Sequence, residues 1–223
     1  MKRTLILIAV TALAVSAFAE GGAGGASLGF GYQFSNSDAA IATAEAMGLE
    51  VENTPVLMLD IHGWSVLNKF MRLGGLISGG YFDAKGKPNE ATMSEDEAGV
   101  GFGDARVAIL PEVYVNFGPI ETAVGFAVGG GSIITFVNDD NGDNDGDMVF
   151  YGFMRPQVTA SYDFGPLGVQ VGAGYHLPFA GAEGDFWFNN STGDTVSNTF
   201  EVGEMDGFFV KLDIFFGQKS MDK

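Results

Sequence analysis

The chain has 223 residues, no cysteine, 34 glycines, 20 phenylalanines, and 11 basic against 28 acidic residues, a net charge of −17. Without cysteine there are no disulfides, thiolate metal sites or lipoprotein anchor. The acidity excludes nucleic acid as a partner, disfavours anionic lipid and suits divalent cations.

Residues 1–19, MKRTLILIAVTALAVSAFA, read as a secretory signal. Lys2 and Arg3 give a positive start, Thr4 to Ser16 is mostly apolar, and Ala17-Phe18-Ala19 is a cleavage site before Glu20. The apolar run is shorter than the roughly 20 residues of a spanning helix. The mature chain is then 223 − 19 = 204 residues with 9 basic and 28 acidic groups, a net charge of −19. No later stretch is long and apolar enough for a transmembrane helix. Abundant glycine and aromatics in an exported chain suit barrel strands and interfacial girdles.

After residue 19 the dominant hydrophobic period is two, which is the period of a strand. Eight segments carry it. Residues 27–34 set Leu28, Phe30, Tyr32 and Phe34 against Ser27, Gly29, Gly31 and Gln33. Residues 55–62 set Leu57, Leu59 and Ile61 against Met58, Asp60 and His62, and 70–82 set Met71, Leu73, Ile77 and Tyr81 against Arg72, Gly74, Ser78 and Gly80. Residues 104–117 place Arg106, Glu112 and Tyr114 opposite a row of Val and Ile, and 120–137 do the same with Glu121 and Ala123. Residues 148–164 carry Arg155 and Asp163, 167–178 carry Gln170 and His176, and 206–216 carry Lys211 and Asp213. One face of every segment is free of charge. The other holds Asp60, Arg72, Arg106, Glu112, Glu121, Arg155, Asp163, Lys211 and Asp213.

The connections are sorted by length. Gly63–Lys69, Gly118-Pro119 and Gly165-Pro166 are short, whereas 35–54, 83–103, 138–147 and 179–205 are long and polar. Strict alternation of short and long connections is the pattern of a transmembrane barrel, with periplasmic turns and external loops. A soluble lipocalin-like binder, its apolar face turned inward, is the competing reading. Residues 38–47 favour one short helix in the first long loop, with Asn36 or Ser37 as cap and Gly48 as stop. Residues 185–189 and 198–202 could form a hairpin, which reads as an extension of the fourth loop or raises the strand count to ten. Pro111-x-Val113 leading to Phe117-Gly118-Pro119 is echoed by Pro156-x-Val158 leading to Phe164-Gly165-Pro166. Each mid-strand proline would remove a ladder bond, so a bulge or a break is expected there.

The signal segment, the alternation and the closing run Gly207–Phe216 (GFFVKLDIFF) make the chain resemble the small eight-stranded outer-membrane proteins of the OmpA, OmpX and OmpW type. That resemblance implies an all-β, closed antiparallel up-and-down transmembrane barrel over 20–217 and a short polar tail at 218–223. It also implies a monomer in the cell outer membrane, with outer-membrane lipid and the barrel assembly machinery as partners. Such barrels usually end on an aromatic residue that this machinery reads; here Phe216 is followed by seven more residues.

The inward charges read as a network of buried pairs, since an eight-stranded interior is just wide enough for side chains to fill. A turn centred near Val66 would put Asp60 opposite Arg72. A narrow path for small or hydrophobic solutes is the alternative. In the acidic stretch 138–147, Asn141, Asp143, Asp145 and Asp147 fall in the register of a calcium loop, but the twelfth position is Gly152 rather than an acid. The same residues also suit a solvated hairpin tip. His62 and His176 fall at opposite ends of the barrel, and neither is tied to Ser78 or Ser132, so no enzyme is expected. Phe82, Phe179, Phe186, Trp187 and Phe188 are aromatics of the long loops.

Overall fold

The structure, a computed structural model, describes residues 24–35, 38–46, 55–86, 98–138, 144–145, 147–165, 167–181, 183–189 and 195–217. The signal segment, the tail 218–223 and most of the long connections lie outside these. Among the described residues eleven strands run in order: β1 (Gly24–Ser35), β2 (Val56–Val66), β3 (Met71–Gly86), β4 (Ala98–Phe117), β5 (Ile120–Asn138), β6 (Asn144–Asp145), β7 (Met148–Asp163), β8 (Leu167–Gly181), β9 (Gly184–Asn189), β10 (Thr195–Phe200) and β11 (Gly207–Gly217). A helix, α1 (Asp38–Ala46), follows β1, and a 3-10 turn spans Val202–Met205.

Eight of the strands close on themselves. The order is β4-β3-β2-β1-β11-β8-β7-β5, and β4 pairs with β5 to complete the circle. Every pairing is antiparallel, and β11 joins β1 over eleven positions from Gly25↔Gly217 to Ser35↔Gly207. A closed sheet leaves no unpaired edge in the wall. β9 and β10 form a separate hairpin, so the strand count of the barrel is eight.

The period of two decides which way each residue points. All four outward residues of β1, Leu28, Phe30, Tyr32 and Phe34, are exposed, while Gly29, Gly31 and Gln33 between them are buried. The same holds round the barrel: Ile109 is 63% and Phe150 70% exposed, while Arg72, Arg106 and Arg155 are at most 2% exposed. The apolar face points out and the charged face in. This corrects the lipocalin-like alternative, which requires the reverse.

Three short connections join strands at one end: Leu67–Phe70, Gly118-Pro119 and 164–166. Gly118 (φ 67°) and Gly165 (φ 117°) occupy conformations that residues with a Cβ rarely adopt, which is why each of these two turns has a glycine there. Strand β2 runs three residues past Gly63, and its partner register, Val66↔Arg72, centres the first turn on Lys69.

The prolines produce neither bulge nor break. Strand β4 pairs with β5 up to Ile109↔Val128 and again from Glu112↔Gly125 in the same register, skipping Leu110 and Pro111. Strand β7 pairs with β8 at Met154↔Leu177 and again at Gln157↔Gly174, skipping Arg155 and Pro156. In an antiparallel ladder a residue directs its N–H and C=O at one neighbour only. Each proline therefore loses pairing on one side and keeps it on the other, as Pro111↔Leu73 and Pro156↔Phe126. The bulge in the wall lies elsewhere: Gly152↔Ala180 is followed by Phe153↔Pro178, which leaves Phe179 as the extra residue.

Candidate functional site: a filled, ion-paired interior

The interior is layered along the axis. At the short-turn end Trp64, Val66, Tyr114, Ala123 and Phe215 form an apolar floor. The Arg72 guanidinium lies over Trp64 (5.7 Å) and Tyr114 (5.4 Å), and bonds Glu112 and Glu121 at 2.5 Å each. His62 Nε2 is 3.8 Å from the same Glu112 carboxylate.

The middle layer centres on Asp60. Its carboxylate accepts from Arg155 Nη2 (2.6 Å) and Ser78 Oγ (2.6 Å), and lies 3.3 Å from Lys211 Nζ. Lys211 also reaches Asp213 (3.1 Å), which accepts from Gln170 Nε2 (2.8 Å). The Arg155 guanidinium stacks on Phe209 at 3.9 Å. Glycine makes room for this layer: a Cβ on Gly29 would overlap the Asp213 carboxylate.

Above it Arg106 forms an ion pair with Asp104, donates to Tyr151 Oη (3.0 Å) and donates to Gln33 Oε1 (2.8 Å). Tyr151 donates in turn to Asp104 (2.8 Å). Gln33 passes the chain outward through its Nε2 to the Met205 carbonyl (2.8 Å). Over this sits the largest apolar cluster, in which Phe82, Phe102, Phe153 and Phe200 meet Val202, Met205 and the alanines of α1. Helix α1 buries Ala39, Ala40, Thr43 and Ala44, spacings that share one helical face. Glu204 ties it down by accepting from Ala39 N (3.0 Å), and Asn198 donates to Thr43 Oγ1 (2.9 Å). Glu204 is only half buried, and that burial pushes its carboxyl above the ordinary value of 4.5, against the lowering effect of the backbone donors Ala39 and Glu201.

Eight of the nine charges expected inside are buried there: Asp60, Arg72, Arg106, Glu112, Glu121, Arg155, Lys211 and Asp213. Asp163 is the exception. It is half-buried at the turn end of β7, where its Oδ1 accepts from Gly165 N at 2.7 Å. The expected pairing of Asp60 with Arg72 is also corrected: Asp60 faces Ser78, Arg72 faces Val66, and each finds its partners across the interior. Sequence reasoning missed Asp104, although it shares the parity of Arg106, and missed Gln33 and Tyr151 as partners. Phe82 belongs to the interior cluster, stacked on Phe102 at 5.2 Å, rather than to a loop surface.

The histidines stand at opposite ends, His62 against Trp64 and His176 between Tyr151 and Phe153. Ser78 donates to Asp60, not to a histidine. In the acidic connection, Asn141 and Asp143 lie outside the described residues. Asp145 is paired with Val137, and Asp147 Oδ1 accepts from Met148 N at 2.7 Å.

Fold and interior together define a closed eight-stranded barrel of the small outer-membrane type: apolar outside, ion-paired inside, covered at both ends. Among solved structures the chain is similar to Ail, the attachment invasion locus protein of Yersinia pestis, with a TM-score of 0.52 and 8% identity over 88% of this chain and 99% of that one. Neisserial surface protein A gives a TM-score of 0.49 and 9% identity, covering 87% and 95%. No family model and no curated protein matches the sequence.

Proposed function

We propose that the protein is exported, loses residues 1–19, and serves as a non-catalytic outer-membrane barrel with an envelope-structural or surface-interaction role, its long acidic connections held outside. The observation that carries this is the inversion of polarity. A wall whose described outward side chains, from the short-turn end up to Tyr81 on β3, carry no charge round the circumference suits hydrocarbon, and a paired polar interior suits a core that water does not fill. Short turns placed in the periplasm put the long connections on the cell surface.

A filled interior favours the structural role over the channel. Four bases and five acids are set against each other between an aromatic floor and an aromatic cap. Fractionation with a heat-modifiable gel shift tests the placement: the protein is expected in the outer-membrane fraction, with folded and boiled forms migrating differently. Recovery from the aqueous periplasm without a shift would sink the reading. Planar-bilayer recording tests the closed interior, with no openings above background expected.

A further inference from the structure

On the β7–β8 side of the interior, five polar atoms have no hydrogen-bond partner in the protein: Arg155 Nε, both amide atoms of Gln157, and both ring nitrogens of His176. His176 is 0% and Gln157 2% exposed, so bulk solvent does not serve them either. Native interiors nearly always give such atoms a partner, from the protein or from ordered water.

Register brings the three side chains together. Met154 pairs with Leu177 and Gln157 with Gly174, and the same register sets Arg155 opposite His176. The wall has no cross-strand pair there, at Arg155 and Pro156. Gln157 stands between two glycines, Gly125 on β5 and Gly174 on β8. The room beside it is small: a Cβ on Gly174 would lie 2.7 Å from the Phe209 ring, and one on Gly125 2.9 Å from Leu110.

Charge and hydrogen-bonding chemistry select the occupant. Arg155 and Lys211 are set against Asp60 and Asp213, and Arg106 against Asp104, so neither adjoining layer leaves a charge for an ion to balance. Arg155 Nε donates, the Gln157 amide donates and accepts, and a histidine ring donates at least once. A neutral molecule of this size that both donates and accepts is water, and a buried water typically makes about three such bonds.

We infer that Gln157, His176 and Arg155 Nε bind a trapped water inside the barrel. The cluster of Phe82, Phe102, Phe153 and Phe200 closes the interior above it, and Trp64, Tyr114 and Phe215 close it below. The water therefore exchanges slowly with bulk solvent and forms an isolated site, not part of a column. The inference rests on the interior alone and not on where the barrel resides.

Water-selective NOE and ROE spectra of the labelled, folded protein in lipid nanodiscs test it. The chain has two histidines, so the carbon-bound ring protons of His176 are a clean reporter. A cross-peak between them and water is expected, with the opposite signs in the two spectra that mark a long-lived water. Gln157→Leu is expected to remove that cross-peak. In His176→Phe the Gln157 amide protons are the reporter, and their water cross-peak is expected to be lost. The heat-modifiable gel shift shows that each variant is folded. A wild-type protein without the cross-peak overturns the site, as does a cross-peak that survives unchanged in a folded variant.

Discussion

Arg155 and Asp60, ninety-five residues apart in the chain, meet across the barrel axis through two hydrogen bonds, Nη2 to Oδ2 at 2.6 Å and Nη1 to Oδ1 at 3.2 Å. Both side chains are at most 2% exposed. A buried pair of this kind is held by its completeness: remove one partner, and a charge stays buried without compensation.

Asp60→Ala is therefore expected to destabilise the folded barrel by about 3–5 kcal/mol, because Arg155 and Lys211 both lose the carboxylate. The double variant Asp60→Ala/Arg155→Ala should lose less than the sum of the two single losses. Denaturant midpoints read from the heat-modifiable band check both; additive losses would mean that the pair is not coupled.

The outer face obeys the opposite rule. Val107, 60% exposed, faces Ile77 near the middle of the wall. Val107→Arg is expected to cost about 2–4 kcal/mol in a bilayer, as a cation at the midplane does. Refolding into vesicles with a denaturant series measures this. A neutral effect would contradict a lipid-facing wall.

Much of this is legible in the sequence. Alternation alone assigns the inward or outward side of the barrel residues, because a strand's side chains leave it no other freedom. The Gly-Pro pairs mark two turns for the same local reason. Register across a turn is not local. The short connection Gly63–Lys69 is centred near Val66, which would set Asp60 against Arg72. The pleat continues to Val66 because Trp64 and Val66 fill the floor of the interior. The cap is invisible for a related reason: Phe82, Phe102 and Phe200 come from segments far apart in the chain, and no period links them.

The prolines offer a gain in stability. Since the register is the same on both sides of Pro111, a residue with an N–H can complete the ladder to β5 without moving either strand. Pro111→Val is expected to raise stability by about 0.5–1.5 kcal/mol, the net worth of one hydrogen bond. A lower unfolding midpoint would show that the skipped position is held open by something other than the missing donor.

Glu204 gives the cap a dependence on pH. Its carboxyl is raised in the folded state, so the folded protein binds a proton that the unfolded chain has already released. Its contribution is complete below its ordinary value of 4.5 and declines as pH rises through the raised folded value. Stability, followed by denaturant midpoint, should fall as pH increases from 4.5, and Glu204→Gln should flatten that slope. An identical slope in the variant would assign the effect to other groups.

The joining of β1 to β11 fixes when the molecule can become whole. The first strand waits, through the synthesis of everything between, for residues 207–217 to arrive as its partner. A chain stopped before Gly207 would present two bare edges, one on β1 and one on β8, each ready to pair with another molecule. The last eleven described residues thus separate a self-contained molecule from a sticky sheet.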